Sequence, residues 1–217
     1  MASERVSHPV RTVGTMNETP DKHTERPETR LEDTLFAVVD VETTGLDPES
    51  DRILQVAAVV VDATGRVVEE FDTVVKPESP AEYEHGGEEI HQIARETVEK
   101  GMPLSAALDN VMSVVDGRLF TAHNATFDLG FLRAESRRVG REWTISQYVD
   151  TLELSRRTDT SGERRHNLEA LCRHYGVSRE RAHEAVADAR AAASILVRLI
   201  DELGARTSDQ LHQTLEE

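Results

Sequence analysis

The stretch Val38–Leu46 reads V-V-D-V-E-T-T-G-L. It closes an apolar, β-branched run beginning at Phe36, which predicts a strand buried within a sheet. Alternate side chains of a strand share a face, so Asp40 and Glu42 emerge side by side. Thr43, Thr44 and Gly45 then predict a turn, with Gly45 able to take backbone conformations closed to other residues. Two adjacent carboxylates at the end of a core strand are costly unless a positive charge lies between them. A divalent metal ion answers that need, because hard cations take oxygen ligands. Two surface acids at a strand end would give the same D-x-E, so the remainder of the chain decides between the two.

Around this stretch lie 217 residues, 38% hydrophobic and 30% charged, which fits one globular domain with a substantial core. No apolar run approaches the roughly 20 residues that span a bilayer. The N-terminus lacks the basic-then-apolar layout of a secretory signal. The single cysteine, Cys172, leaves no internal disulfide and fits a reducing compartment. A cytoplasmic protein with no membrane partner is therefore expected. In L-E-A-L-C-R-H-Y, Cys172 reads as a small helix-packing residue.

The net charge of −16 argues at first against a nucleic-acid partner, but the charge is unevenly spread. Residues 35–117 hold 18 acids and 5 bases, a net of −13, whereas residues 118–181 hold 9 acids and 12 bases, a net of +3. Such a layout disfavours wrapping a long duplex, which needs a broad basic surface. It permits a small site that grips a strand end.

Residues 1–33 are polar and without apolar period, and are expected to be a disordered tail. The folded domain is expected over 34–204, with 205–217 a tail or short helix. Apolar runs at 35–42, 53–62 and 67–75, joined by short turns, predict an antiparallel meander. Short helices are expected at 88–93 and 95–100, and longer ones at 104–115, 125–139, 151–157, 167–175 and 182–203. Strands are expected at 118–122 and 147–150. The loop 158–165, with Arg164 and Arg165, reads as mobile. Meander first and alternating helices and strands afterwards define a mixed α/β sheet with helices on both faces.

Two more acids stand where a metal site could use them. Asp128, in H-N-A-T-F-D, falls in the first turn of a helix; alone it is a favourable acid near the helix's positive end, worth a few tenths to about 1 kcal/mol. Asp188, in H-E-A-V-A-D-A, is flanked by alanines that leave room for something bulky. His183 precedes Asp188 by five residues, about 500° of helix rotation, so the two can share a site only if His183 lies just before the helix. Asp150, in D-T-L-E-L, reads as a helix N-cap and is kept structural.

In the order D-V-E-T-T-G-L, H-N-A-T-F-D, H-x-A-x-x-D, with I-H-Q-I and N-L-E-A-L-C-R-H-Y-G-V between, the chain from about Leu35 to Leu203 resembles the DEDDh 3′–5′ exonucleases, the type of the proofreading subunit of bacterial DNA polymerase III. The resemblance implies a ribonuclease H-like fold, which agrees with the meander-first order. It implies that Asp40, Glu42, Asp128 and Asp188 hold two Mg²⁺ or Mn²⁺ ions and that His183 is the general base. Gln55 departs from the family, standing where many members have a glutamate. The two threonines after Glu42 point away from the oligoribonuclease branch, in which a methionine usually precedes the threonine. The 158–165 loop has no match in the resemblance.

That set suits phosphodiester hydrolysis, which two-metal sites perform with ions about 3.5–4 Å apart. A histidine of ordinary pKa near 6.5 takes a proton from water close to neutral pH. Thr43, Thr44 and Leu46 stand where a terminal nucleotide would be received by backbone amides and apolar contact. His123, Asn124 and Phe127 are expected to shape the same pocket, and some of Arg133, Arg137, Arg138 and Arg141 to track phosphates. The expected substrate is a single-stranded 3′ end, DNA over RNA, with a polymerase as a possible partner. The alternatives are an RNA 3′-end trimming ribonuclease and a catalytically silent binding module, the latter disfavoured because all five residues are present.

Overall fold

The structure, a computed structural model, describes residues 29–78, 84–179 and 182–214. In chain order the strands are β1 (Leu35–Thr43), β2 (Ile53–Asp62), β3 (Val67–Lys76), β4 (Met102–Pro103), β5 (Leu119–Ala122), β6 (Gln147–Asp150) and β7 (Gln213–Thr214). The helices are α1 (Glu88–His91), α2 (Arg95–Val98), α3 (Leu104–Val115), α4 (Ala125–Arg138), α5 (Thr151–Thr158), α6 (Leu168–Tyr175) and α7 (Ala185–Leu203).

The seven strands form one sheet in the order β4-β3-β2-β1-β5-β6-β7. β1, β2 and β3 are the antiparallel meander, and β5 and β6 run parallel to β1. Parallel pairing requires crossover connections, and here α3 and α4 supply them. β1 and β2 pair without interruption from Leu35 and Asp62 to Glu42 and Gln55; the register then shifts between Glu42 and Thr43. A bulge of that kind bends the strand and re-aims side chains where the ladder ends.

The two faces of β1 serve two cores. Ala37, Val39 and Val41 pack with Leu108, Val111, Phe131 and Leu132 of α3 and α4. Phe36 and Val38 pack with Leu171, Ala189, Ile195 and Leu196 of α6 and α7. Asp40 and Glu42 continue the parity of Phe36 and Val38, so both carboxylates emerge toward α7. Cys172 is a buried free thiol in that second core, the packing role its sequence predicts.

Several boundaries differ from the sequence reading. α7 begins at Ala185 rather than 182, because His183 takes a left-handed backbone, φ 66°, that no helix continues through. The structured part also extends beyond 34–204. Leu31 is buried in a 3₁₀ turn, and Arg30 bridges Thr207. Residues 208–210 form another 3₁₀ turn, and β7 pairs with β6, where a tail or short helix was expected. The rest of the expected N-terminal tail, residues 1–28, lies outside the described residues. No helix among the described residues is long and apolar enough to cross a membrane.

The 158–165 loop is pinned rather than free. Asp159 accepts hydrogen bonds from the backbone of Ser161, Gly162 and Arg164, while Arg164 reaches Thr158, Tyr175 and Glu202.

Candidate active site

The site gathers at the carboxyl end of β1. Asp128 enters from α4, whose first turn abuts β1: its Oδ1 accepts a hydrogen bond from the Val41 N–H at 3.1 Å. Asp188 enters from the first turn of α7. Alanines at 185, 189 and 192, all buried, give α7 a thin face that seats it closely on β1 and β2. Glu42, His183 and Asp188 each offer a ligand atom, and these atoms lie within 4.8 Å of one another. His183 is exposed and lies just before α7, which is how it reaches a site shared with Asp188. The left-handed conformation of a non-glycine residue costs of order 1–3 kcal/mol and persists where the surroundings impose it.

The electrostatics show what the cluster lacks. Burial, followed by the charges of Asp128, Asp188 and Glu42, pushes the Asp40 carboxyl well above its ordinary range. Burial pushes up Asp128 as well, against hydrogen bonds that favour its charged form. Glu42 is raised to about 7 by burial and by Asp188. Among the described residues, Arg179 brings a positive group into the cluster, gripping both oxygens of Asp188 through its Nε and one terminal nitrogen. Hard oxygen donors crowded until their protons are retained, with an imidazole beside them, fit divalent cations such as Mg²⁺ or Mn²⁺.

The turn after β1 is held by its own bonds. Thr43 Oγ1 donates to the Gly45 carbonyl at 2.6 Å. The Thr44 hydroxyl donates to Asp51 and accepts from Arg52 N–H, and the Thr44 N–H donates to the Arg52 carbonyl. The Thr44 backbone amide, expected to receive a nucleotide, is therefore committed to the turn, and so is its hydroxyl. Gly45 has no unusual φ, and a Cβ there would press on the Asp51 carboxylate, which would have to move away from its bonds to the turn. Leu46 stands 83% exposed beside the site, a large apolar side chain with no protein cover.

His123 is half-buried and hydrogen-bonds Thr151 Oγ1 at 3.0 Å. Burial drops its pKa to about 4, so the ring is neutral at physiological pH. Asn124 is exposed, whereas Phe127 packs against the first core and the Phe131 ring, 4.9 Å away. Asp150 accepts from the N–H groups of Asn124, Ala125 and Leu152, so it caps α5 and also ties down the start of α4. The expected phosphate-tracking arginines are engaged within the protein. Arg133 bonds the Ile145 carbonyl, Arg137 bonds Glu49, Arg138 bonds the Pro48 and Glu49 carbonyls, and Arg141 bonds Ser105 and Asp109.

Three side chains matter more than the sequence showed. Gln55, buried in β2, donates to Asp72 at 2.8 Å and accepts from the Ala185 N–H, tying the start of α7 to the sheet. His91 accepts from the Ile93 N–H at Nδ1, so its Nε2 carries the proton and donates to the Gly86 carbonyl. Gly86 in turn packs on the Thr44 carbonyl, 2.5 Å from where a Cβ would stand. A polar residue inside the apolar run I-L-Q-V-A-A was the available signal for Gln55. Arg179 had none, being one of two arginines in V-S-R-E-R-A-H. A cleft of about 520 Å³ runs from His183 past Gln55 to His91, Ile93 and Thr97.

A ribonuclease H-like sheet whose first strand carries paired acids, joined by an acid from each flanking helix and a histidine, defines a nuclease of the DEDDh type. Residues 37–196 match the RNase_T family model, described as an exonuclease. The DNA polymerase III PolC-type of Thermotoga petrophila is 33% identical over 172 residues, 79% of this chain and 12% of that protein. The 3′-5′ exonuclease DinG of Bacillus subtilis is 33% identical over 171 residues, 77% of this chain and 18% of that protein. The chain thus spans less than a fifth of the length of these relatives. Among solved structures, the nuclease domain of 3′hExo, a DEDDh family member bound to rAMP, superposes with a TM-score of 0.69 at 15% identity, covering 84% of this chain and 96% of that one. E. coli Exonuclease I in complex with a dA16 oligonucleotide gives 0.65 at 23%, covering 79% and 43%. The chain belongs to the DEDDh 3′–5′ exonuclease family.

Proposed function

We propose that this chain removes nucleoside 5′-monophosphates one at a time from single-stranded 3′ ends, DNA in preference to RNA, using two Mg²⁺ or Mn²⁺ ions. The observation that carries the reading is the convergence of Asp40 and Glu42 of β1, Asp128 of α4, Asp188 of α7 and His183 of the turn before α7 on the carboxyl end of β1. Asp40, Glu42, Asp128 and Asp188 would hold the ions. When bound, these would stabilise charge on the attacking and leaving oxygens of an in-line displacement. His183, exposed at the cleft mouth, takes the proton from the attacking water. The water oxygen bonds to phosphorus, the P–O3′ bond breaks, and the 3′ oxygen leaves with a proton from solvent. The exposed Leu46 would lie against the terminal base, and Thr43, Thr44, His123, Asn124 and Phe127 would shape the nucleotide pocket around it.

The preference for DNA rests on the relatives at 33% identity, the polymerase III PolC-type protein and DinG. The first of these makes a DNA polymerase the candidate partner. Digestion of matched 5′-labelled single-stranded DNA and RNA, with Mg²⁺, Mn²⁺ or chelator, tests the proposal. A metal-dependent ladder shortening from the 3′ end is expected, DNA faster, with His183→Ala slower by about 10²–10⁴-fold. Faster RNA digestion would reassign the substrate to RNA. Intact strands under every condition would leave the silent binding module as the better account.

A further inference from the structure

Arg179 is bound in the middle of the acid cluster, and its position has a consequence for metal loading that rests on the function proposed above. Its side chain is only 12% exposed and that of Asp188 only 7%. Both Asp188 oxygens accept from the guanidinium. The same carboxylate supplies one of the three ligand atoms clustered within 4.8 Å with Glu42 and His183. The Arg179 charge also bears on Asp40 and Glu42, where it opposes the repulsion among the acids. Among the described residues, Arg164 is bonded to Glu202 and Tyr175, and Arg190 to Glu70.

We propose that Arg179 is a tethered counter-cation that closes the metal-binding carboxylate of Asp188 in the metal-free protein and must be displaced for a divalent ion to bind. A carboxylate gripped by a bidentate guanidinium has both oxygens engaged. A dication at ordinary bonding distance from one of those oxygens would repel the guanidinium strongly in so buried a place. Displacement breaks no regular structure. Arg179 lies after Gly176, the left-handed residue that ends α6, and before α7 opens at Ala185, and it belongs to no helix or strand. A site that is competent only when the arginine is out binds its ligand more weakly by the fraction of time spent open. Arg179 thereby sets the metal concentration at which the site loads. It also offsets part of the repulsion felt at Asp40 and Glu42.

Calorimetric titration of Mn²⁺ into the full chain tests this, comparing wild type, Arg179→Gln and Arg179→Lys. Arg179→Gln is expected to bind Mn²⁺ about tenfold more tightly than wild type. Arg179→Lys, which keeps the charge but not the two-pronged grip, should fall between them. Without metal, Arg179→Gln should melt below wild type. Equal or weaker Mn²⁺ binding by Arg179→Gln would overturn the proposal and make Arg179 a fixed brace for Asp188. If Arg179→Gln does not fold, wild-type protein labelled with ¹⁵N-arginine decides: the bonded Arg179 Nε–H resonance is expected to move on saturation with Mg²⁺, and an unmoved resonance overturns the idea. Strand digestion run alongside separates the two proposals. Tighter binding by a variant set that cuts no strand sinks the exonuclease reading alone, and cutting without any difference in binding sinks only the displacement of Arg179.

Discussion

Glu42 records, in one carboxyl group, the conflict built into the site. Burial and the nearby Asp188 lift it to about 7, against the opposing charge of Arg179. The folded protein therefore holds a proton on Glu42 between about pH 4.5 and 7 that the unfolded chain has lost, so the folded state binds more protons there and stability falls as pH rises. Asp40 and Asp128, shifted in the same direction, add to the slope. His123 acts oppositely. Its pKa of about 4 means the unfolded chain takes the proton first, and stability falls as pH drops from about 6.5 toward 4. Urea unfolding in chelator across pH 4.5–7.5 should show the destabilising limb, and Glu42→Gln should flatten it. A slope unchanged by Glu42→Gln would mean that the charge on Glu42 is compensated elsewhere.

Among the elements, short polar ties determine where the acids stand. Asp150 joins the end of β6 to the starts of α4 and α5 by three N–H groups, two of them at the turn that launches Asp128. Asp150→Ala removes a cap worth about 1 kcal/mol and strands buried donors, for a loss of about 2–4 kcal/mol in denaturant unfolding. Asp150→Asn, which can still accept, should recover part of it. These elements were unequally legible beforehand. β1 and β2 are long β-branched runs, and Phe36 to Glu42 shows its face parity directly, which is why Asp40 and Glu42 could be paired from sequence. The start of α7 was not legible: Ala182 fits a helix as well as a loop, and the left-handed turn at His183 is imposed by tertiary contacts. β7 pairs over two residues, too few for any periodicity. The arginines of α4 and just beyond it read as candidate phosphate contacts until the chain folds, when Glu49 comes to meet Arg137 and Asp109 to meet Arg141.

Across the whole molecule, the acid excess and the committed arginines limit how a strand can be held. On the proposed function, with the arginines of α4 held by protein partners, recognition is expected to concentrate on the terminal nucleotide and the acids proposed to hold metal. Binding with about two phosphate contacts should weaken only about sevenfold between 50 and 200 mM salt, since single strands lose affinity with a log–log slope near −0.7 per contact. Fluorescence anisotropy of a labelled oligonucleotide with the His183→Ala protein measures this. A much steeper slope would reveal a basic track outside the cleft.

β1 at the centre of the sheet has one more consequence, which concerns the order of events as the chain folds. Its two acids meet their partners only when α4 has crossed over to its edge and α7 has docked on its face. No segment shorter than the span from Asp40 to Asp188 holds the set. On the proposed function, a chain severed between β1 and α7 has no power to cut, and the hydrolytic capacity belongs to the assembled fold rather than to any one motif.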